Sequence, residues 1–323
     1  MGLLPMKAKI LPPSDDHVFK LLLTSPEAKP ALTDLVSAII KRPVTNVVVR
    51  HNEIPVEDTR EKAERLDVNC KVDDGSQIDL EMQASRVMEI ADGKHNNLKG
   101  KSIYYLCDLH SSQPAKGVPR YDLLARTYQV TFCSYRVFRN RKEYVNSFSM
   151  RHDEDNELFS DAIRVIYVEL CKLKETVMKP VIEMTDLEKW AVFFRYADNH
   201  KKRGTVNKII ESKEALQMAG ELLMTISQDE RERARIRSRK MFETDLASDM
   251  ATAMDIGRKK GRKEGRKEGR QEGKREGIRE GRQEGKREEA LAIAQNLLEM
   301  KMPIEQIVTA TGLTREEVQK LKI

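Results

Sequence analysis

The stretch RLDVNCKVDDGSQIDLEMQ, residues 65–83, decides the fold. Leu66, Val68, Cys70 and Val72 alternate with Asp67, Asn69 and Lys71. Ile78, Leu80 and Met82 alternate with Asp79, Glu81 and Gln83. A period of two marks strands with one apolar and one polar face. Asp73, Asp74 and Gly75 between the arms are turn residues, so the stretch reads as a β-hairpin. With Gly75 left-handed in a three-residue loop, Val72 pairs with Ser76, Val68 with Leu80 and Leu66 with Met82. The same register sets Asp67 directly opposite Glu81 on the polar face, their Cβ atoms about 4.5–5.5 Å apart.

Like charges directly opposed destabilise a sheet, so this pair needs a reason to exist. A divalent cation supplies one. Mg²⁺ takes hard oxygen ligands and keeps several waters. Asp67, Glu81 and the carbonyl of Met82 are the expected ligands of such an ion, Mg²⁺ or Mn²⁺. An ion held there polarises a phosphate oxygen and lowers the pKa of a bound water for in-line attack on phosphorus. Gln83 shares the face of Glu81 and is placed to orient that water or hold a phosphate oxygen. Asp79 is a supporting acid on the same face.

Working outward, Ser14 reads as the N-cap of a first helix, with Asp15 and Asp16 in its positive first turn. A second helix, residues 30–40, stops before Pro43. VTNVVVRHNEI reads as a strand, residues 87–111 as a long helix, and ARTYQVTFCSYRVF and IRVIYVELCKL as further strands. From Thr185 onward the pattern is helical, with Leu187, Trp190 and Phe194 on one face. Trp190 is expected in the core. Strands mixed with helices followed by helices alone predict an α/β core with an all-helical extension. The expected divisions are a core at 10–180, a helical extension at 181–256, a repeat at 257–288 and a short helical hairpin at 289–323.

The repeat is GRKK-GRKE-GRKE-GRQE-GKRE-GIRE-GRQE-GKRE. It holds 14 Lys/Arg against 7 Glu, a net of +7, while the whole chain carries only +6. The basic excess therefore belongs to this one segment. Each glycine costs about 0.8–1 kcal/mol of helix propensity, and ion pairs along the helix recover only a few tenths each. A partly disordered connector, a self-associating helix and an electrostatic DNA contact all fit the composition. In the tail, Pro303 opens one helix, Gly312 closes it, and Thr314 with Glu317 forms a capping box for the last. This hairpin resembles half of a helix-turn-helix, and packing or oligomerisation is its expected use. Lys62, Arg65, Lys99 and Lys101 are candidate phosphate contacts. The four cysteines lack CxxC spacing, and no signal-peptide pattern or long apolar run is present, so a reduced cytoplasmic protein without a membrane span is expected.

Asp-x13-Glu-x-Gln resembles the PD-(D/E)XK nuclease core, in which Asp is followed after a variable gap by Glu-x-Lys. DDHVFKLLL, SIYYLCDL, KGVPRYDLLARTYQVTF and the glycine-charge repeat with its helical tail narrow the match. Together they resemble the recombination-promoting nuclease, or transposase, family of PD-(D/E)XK proteins over nearly the whole chain. The resemblance implies a restriction-endonuclease-like core, a mixed central sheet flanked by helices. It also implies a metal-dependent DNA endonuclease that promotes recombination. Carried over by position, Asp67, Glu81 and Gln83 are the catalytic set, and Asp16 matches an acidic helix position that completes such sites. Gln83 departs from the lysine of many relatives, and glutamine neither donates a proton as lysine does nor offsets anionic charge. The expected partners are DNA and, through the C-terminal helices, further copies of the chain. A catalytically weak recombination accessory protein and an oligomerising assembly protein are the rival readings.

Overall fold

The structure, a computed structural model, describes residues 4–50, 68–84, 97–113 and 121–321. In chain order its first elements are α1 (Asp16–Thr24), α2 (Lys29–Ile40), β1 (Val47–Val49), β2 (Val68–Val72), β3 (Gln77–Gln83) and α3 (Asn97–Ser111). They are followed by β4 (Thr127–Cys133), β5 (Val145–Arg151) and β6 (Leu158–Glu169). The N-cap of α1 is Asp15 rather than Ser14, its carboxylate accepting from the His17 N–H at 3.1 Å. The expected strand after Val44 is only three residues long here, and the expected helix start at 87 lies outside the described residues.

The hairpin forms in the register that parity predicts. Val68 pairs with Leu80 and Cys70 with Ile78. The Val72 N–H donates to the Ser76 carbonyl, and Gly75 takes φ +87°, the left-handed turn position. Around it the described strands build a six-stranded sheet in the order β1-β2-β3-β4-β6-β5. The β3–β4 and β4–β6 pairs are parallel, and the others are antiparallel. A parallel pair needs a crossover, and α3 lies in the segment that joins β3 to β4.

One sheet face is apolar. Val68, Cys70, Ile78, Leu80, Met82, Val130 and Phe132 are buried there in one core with α1, α2 and the helices after the sheet. Those helices are α4 (Asp186–Tyr196), α5 (Arg203–Glu211), α6 (Glu214–Gln228) and α7 (Glu230–Glu299). Phe19, Phe132 and Phe194 meet at centroid distances of 5.2–5.6 Å, and Trp190 stacks on Phe194 at 5.7 Å. Trp190 is fully buried, as expected, and its indole N–H donates to Asp34 at 2.8 Å. The first turns of α7 join this body through buried Ile236 and the His17–Glu232 and Asp16–Arg239 ion pairs.

The chain divides into two compact units, Met1–Ala247 and Ser248–Ile323. In the second, the repeat is helical throughout, inside the 70-residue α7. A Cβ added at any repeat glycine from Gly257 to Gly285 meets nothing within 4 Å. The end of α7, α8 (Ile304–Thr311) and α9 (Arg315–Lys320) enclose a small core of Ala294, Ile307, Leu313 and Val318. Gly312 closes α8 at φ +71°, and the Thr314–Glu317 capping box opens α9. No helix among the described residues is long and apolar enough to cross a membrane.

Candidate active site

The second sheet face is polar yet buried. Strand alternation sends Gln77, Asp79 and Glu81 of β3 to the side opposite the core, and Thr127, Gln129 and Thr131 of β4 lie beside them. All six are at most 3 % exposed. Helix α3 covers this face, and its Ser102 hydroxyl meets the Tyr167 hydroxyl of β6 at 2.8 Å. At the far end of α3, His110 Nδ1 lies 2.9 Å from the Thr127 hydroxyl, which also accepts from the Gln113 amide at 2.9 Å. Burial lowers the pKa of His110, favouring the neutral ring.

Glu81 is the centre of the row. Its side chain is 1 % exposed, and Oε2 accepts from the Lys101 ammonium at 3.0 Å and from the Gln83 amide at 3.4 Å. Burial raises its carboxyl above the ordinary value, Lys101 and Gln83 pull it back, and the Asp16 carboxylate pushes it further up. The last effect places Asp16, at the start of α1, within electrostatic range of Glu81. Asp79, fully buried two residues before Glu81, pairs in register with Asn69 on one side and Gln129 on the other. Together with burial, the larger cause, its charge pushes the Cys70 thiol up to about 12, so that this cysteine stays protonated and inert.

The sequence-derived site residues therefore fall into two groups. Glu81, Gln83 and Asp16 gather at one place, with Asp79 buried further along the same strand. Met82 turns its side chain into the core, where it is 1 % exposed, so only its backbone is available to the site. Asp67 lies outside the described residues, as do Lys62 and Arg65. Among the described residues no three His, Cys, Asp or Glu side chains come together to hold a metal. Mg²⁺ needs only one or two carboxylates besides water, and Glu81, with the Asp16 carboxylate in electrostatic range, offers hard oxygen donors. The donor set fits a hard divalent cation.

Sequence reasoning passed over the polar row of β4. Its signal was present, because Thr127, Gln129 and Thr131 alternate with Tyr128, Val130 and Phe132. The Gln129 amide and the Thr131 hydroxyl are buried and have no hydrogen-bond partner among the described residues. The contact of Lys101 with Glu81 bridges separate elements and leaves no local pattern.

A family model described as PD-(D/E)XK nuclease family transposase matches residues 13–253. The chain belongs to that family. The match spans the whole described sheet, the covering helices and the start of α7, so the polar row lies inside the matched region. The resemblance read from the hairpin and its flanking blocks is borne out, as is the mixed-sheet PD-(D/E)XK core with a helical C-terminal region. A second model, the C-terminal HTH domain of the Rpn/YhgA-like nuclease family, matches residues 287–323. The tail of this PD-(D/E)XK protein thus corresponds to a whole HTH domain rather than half of one, with the end of α7 supplying a further helix. No curated protein and no solved structure matches the chain.

Proposed function

We propose that the protein is a Mg²⁺-dependent DNA endonuclease of low sequence specificity, working in recombination or the movement of mobile elements. The observation that carries the reading is Glu81: a carboxylate buried on a polar sheet face, raised by burial and by Asp16, within a family of nucleases. Asp67 lies outside the described residues, and its place beside Glu81 is the one that the alternation of the hairpin sequence leads us to expect. Asp67, Glu81 and the Met82 carbonyl would hold the ion, Mg²⁺ or Mn²⁺. Bound there, it supplies a Lewis acid for the phosphate and a water of lowered pKa.

The chain's own groups do the rest. The Gln83 amide, now donating to Glu81, orients a water or a phosphate oxygen. Asp16 holds negative potential at Glu81, which draws positive charge to it, and Asp79 is a supporting acid further along β3. The +7 repeat and the HTH tail supply contacts to phosphates, which fix register on a duplex without reading sequence. Gln83 in place of lysine supports a second reading, a catalytically weak accessory protein that still binds DNA. Supercoiled plasmid distinguishes the two. Wild type is expected to nick it in Mg²⁺, with nicking abolished by EDTA and by Asp67→Asn. Binding without metal-dependent nicking establishes the accessory role instead.

A further inference from the structure

A neutral amide at position 83 leaves this site without the fixed positive charge that phosphoryl chemistry uses. Negative charge grows on the phosphate oxygens in the transition state, and a cation aimed at it is worth more than a neutral donor. A cation is present, but it comes from another element. Lys101, one turn into α3, brings its ammonium to 3.0 Å from Glu81 Oε2, the oxygen that accepts from Gln83 at 3.4 Å. The ammonium and the amide therefore meet at one point. Oε1 of Glu81 takes no hydrogen bond among the described residues, so both contacts load a single carboxylate oxygen.

Three features fit Lys101 for a role toward substrate. Its side chain is 36 % exposed while that of Glu81 is 1 % exposed, so Lys101 reaches from the surface of α3 to the buried carboxylate. The Tyr105 ring, one turn further along α3, lies 5.1 Å from the ammonium and helps to fix it. The neighbouring candidate, Lys99, turns instead to the Phe138 ring at 4.8 Å. We propose that Lys101 is the cationic catalytic residue of this site, facing the scissile phosphate and supplying from α3 the charge that residue 83 lacks. This rests on the nuclease reading above. It assigns the division of labour within it: charge from Lys101, orientation from Gln83.

The competing role is a placeholder, an ammonium that neutralises Glu81 until a divalent cation displaces it. Four full-length proteins separate the two: Lys101→Met, Lys101→Arg, Gln83→Lys, and Lys101→Met combined with Gln83→Lys. Plasmid nicking is measured at saturating Mg²⁺, and Mn²⁺ affinity is measured separately by electron paramagnetic resonance. Lys101→Met is expected to nick about 100-fold more slowly with Mn²⁺ affinity no weaker than wild type. Lys101→Arg keeps most of the rate. Gln83→Lys restores nicking to the Lys101→Met protein, since it returns the charge to the same point. Wild-type nicking by Lys101→Met, with tighter Mn²⁺ binding, establishes the placeholder and overturns the proposal. So does a folded double variant that stays as slow as Lys101→Met. Should Lys101→Met fail to fold, Lys101→Gln, which keeps a donor for Glu81, takes its place. Wild type that binds plasmid but does not nick it in Mg²⁺ sinks the nuclease reading itself, and this is seen before any Lys101 variant is made.

Discussion

Burying Glu81 as a carboxylate carries a cost in stability. Its pKa is raised above the ordinary 4.5, chiefly by burial, so its ionised form is disfavoured in the folded protein. The sign follows from linkage. Below 4.5 the carboxyl is protonated in both folded and unfolded chains and costs nothing. As pH rises through the folded value, the unfolded chain ionises more readily and stability is lost. Glu81→Gln keeps the shape and removes the charge. In EDTA it is therefore expected to be more stable than wild type at pH 8, with the two converging at acid pH in urea unfolding. Wild type being the more stable at pH 8 contradicts the assignment. Mg²⁺ at ten times its Kd should then add about 1.4 kcal/mol to wild type and nothing to Glu81→Gln. The carboxylate was legible in the sequence because hairpin parity ties each side chain to a face. The partner Lys101 was named only as a phosphate contact, because nothing local to α3 shows that its ammonium reaches β3.

Among the elements, β2 and β3 were readable and β5 was not. The hairpin obeys a strict period of two, and one turn glycine at φ +87° fixes its register. Strand β5 is an edge strand, with Phe148 38 % and Met150 46 % exposed, so no burial pattern marks it in the sequence. Strand β4 was assigned, but its second face was not. That face predicts a stability effect. Gln129 is fully buried, with neither amide atom hydrogen-bonded among the described residues. An unpaired buried amide costs about 1–3 kcal/mol, so Gln129→Met, close to it in volume, is expected to stabilise the fold by about that amount in urea unfolding. An equal loss would show that the amide is satisfied in the native protein.

For the whole molecule, composition marked a charged repeat and left it open between a helix and a partly disordered connector; in the structure it is helical, and its glycines line open helix surface. The tail was read as a hairpin because the helix that completes its core is the end of α7, which runs on unbroken from the repeat and so shows no start of its own. The repeat allows a test of self-association. Replacing Gly265, Gly269 and Gly273 by alanine should stabilise the helix by about 2–3 kcal/mol in all, seen as helicity retained to higher temperature. Light scattering reports the other half. An unchanged oligomeric size makes the stripe a feature of one chain, and a fall in size makes it a contact between copies.

The central claim is that the buried carboxylate on β3 works on phosphodiesters. The most direct measurement is the initial nicking rate of Glu81→Ala on supercoiled plasmid in Mg²⁺, with folding checked by circular dichroism. Loss of even an outer partner of a metal ligand costs about 10–100-fold, so losing the ligand is predicted to lower the rate by about 100-fold or more. A folded Glu81→Ala protein that nicks as fast as wild type would contradict the account.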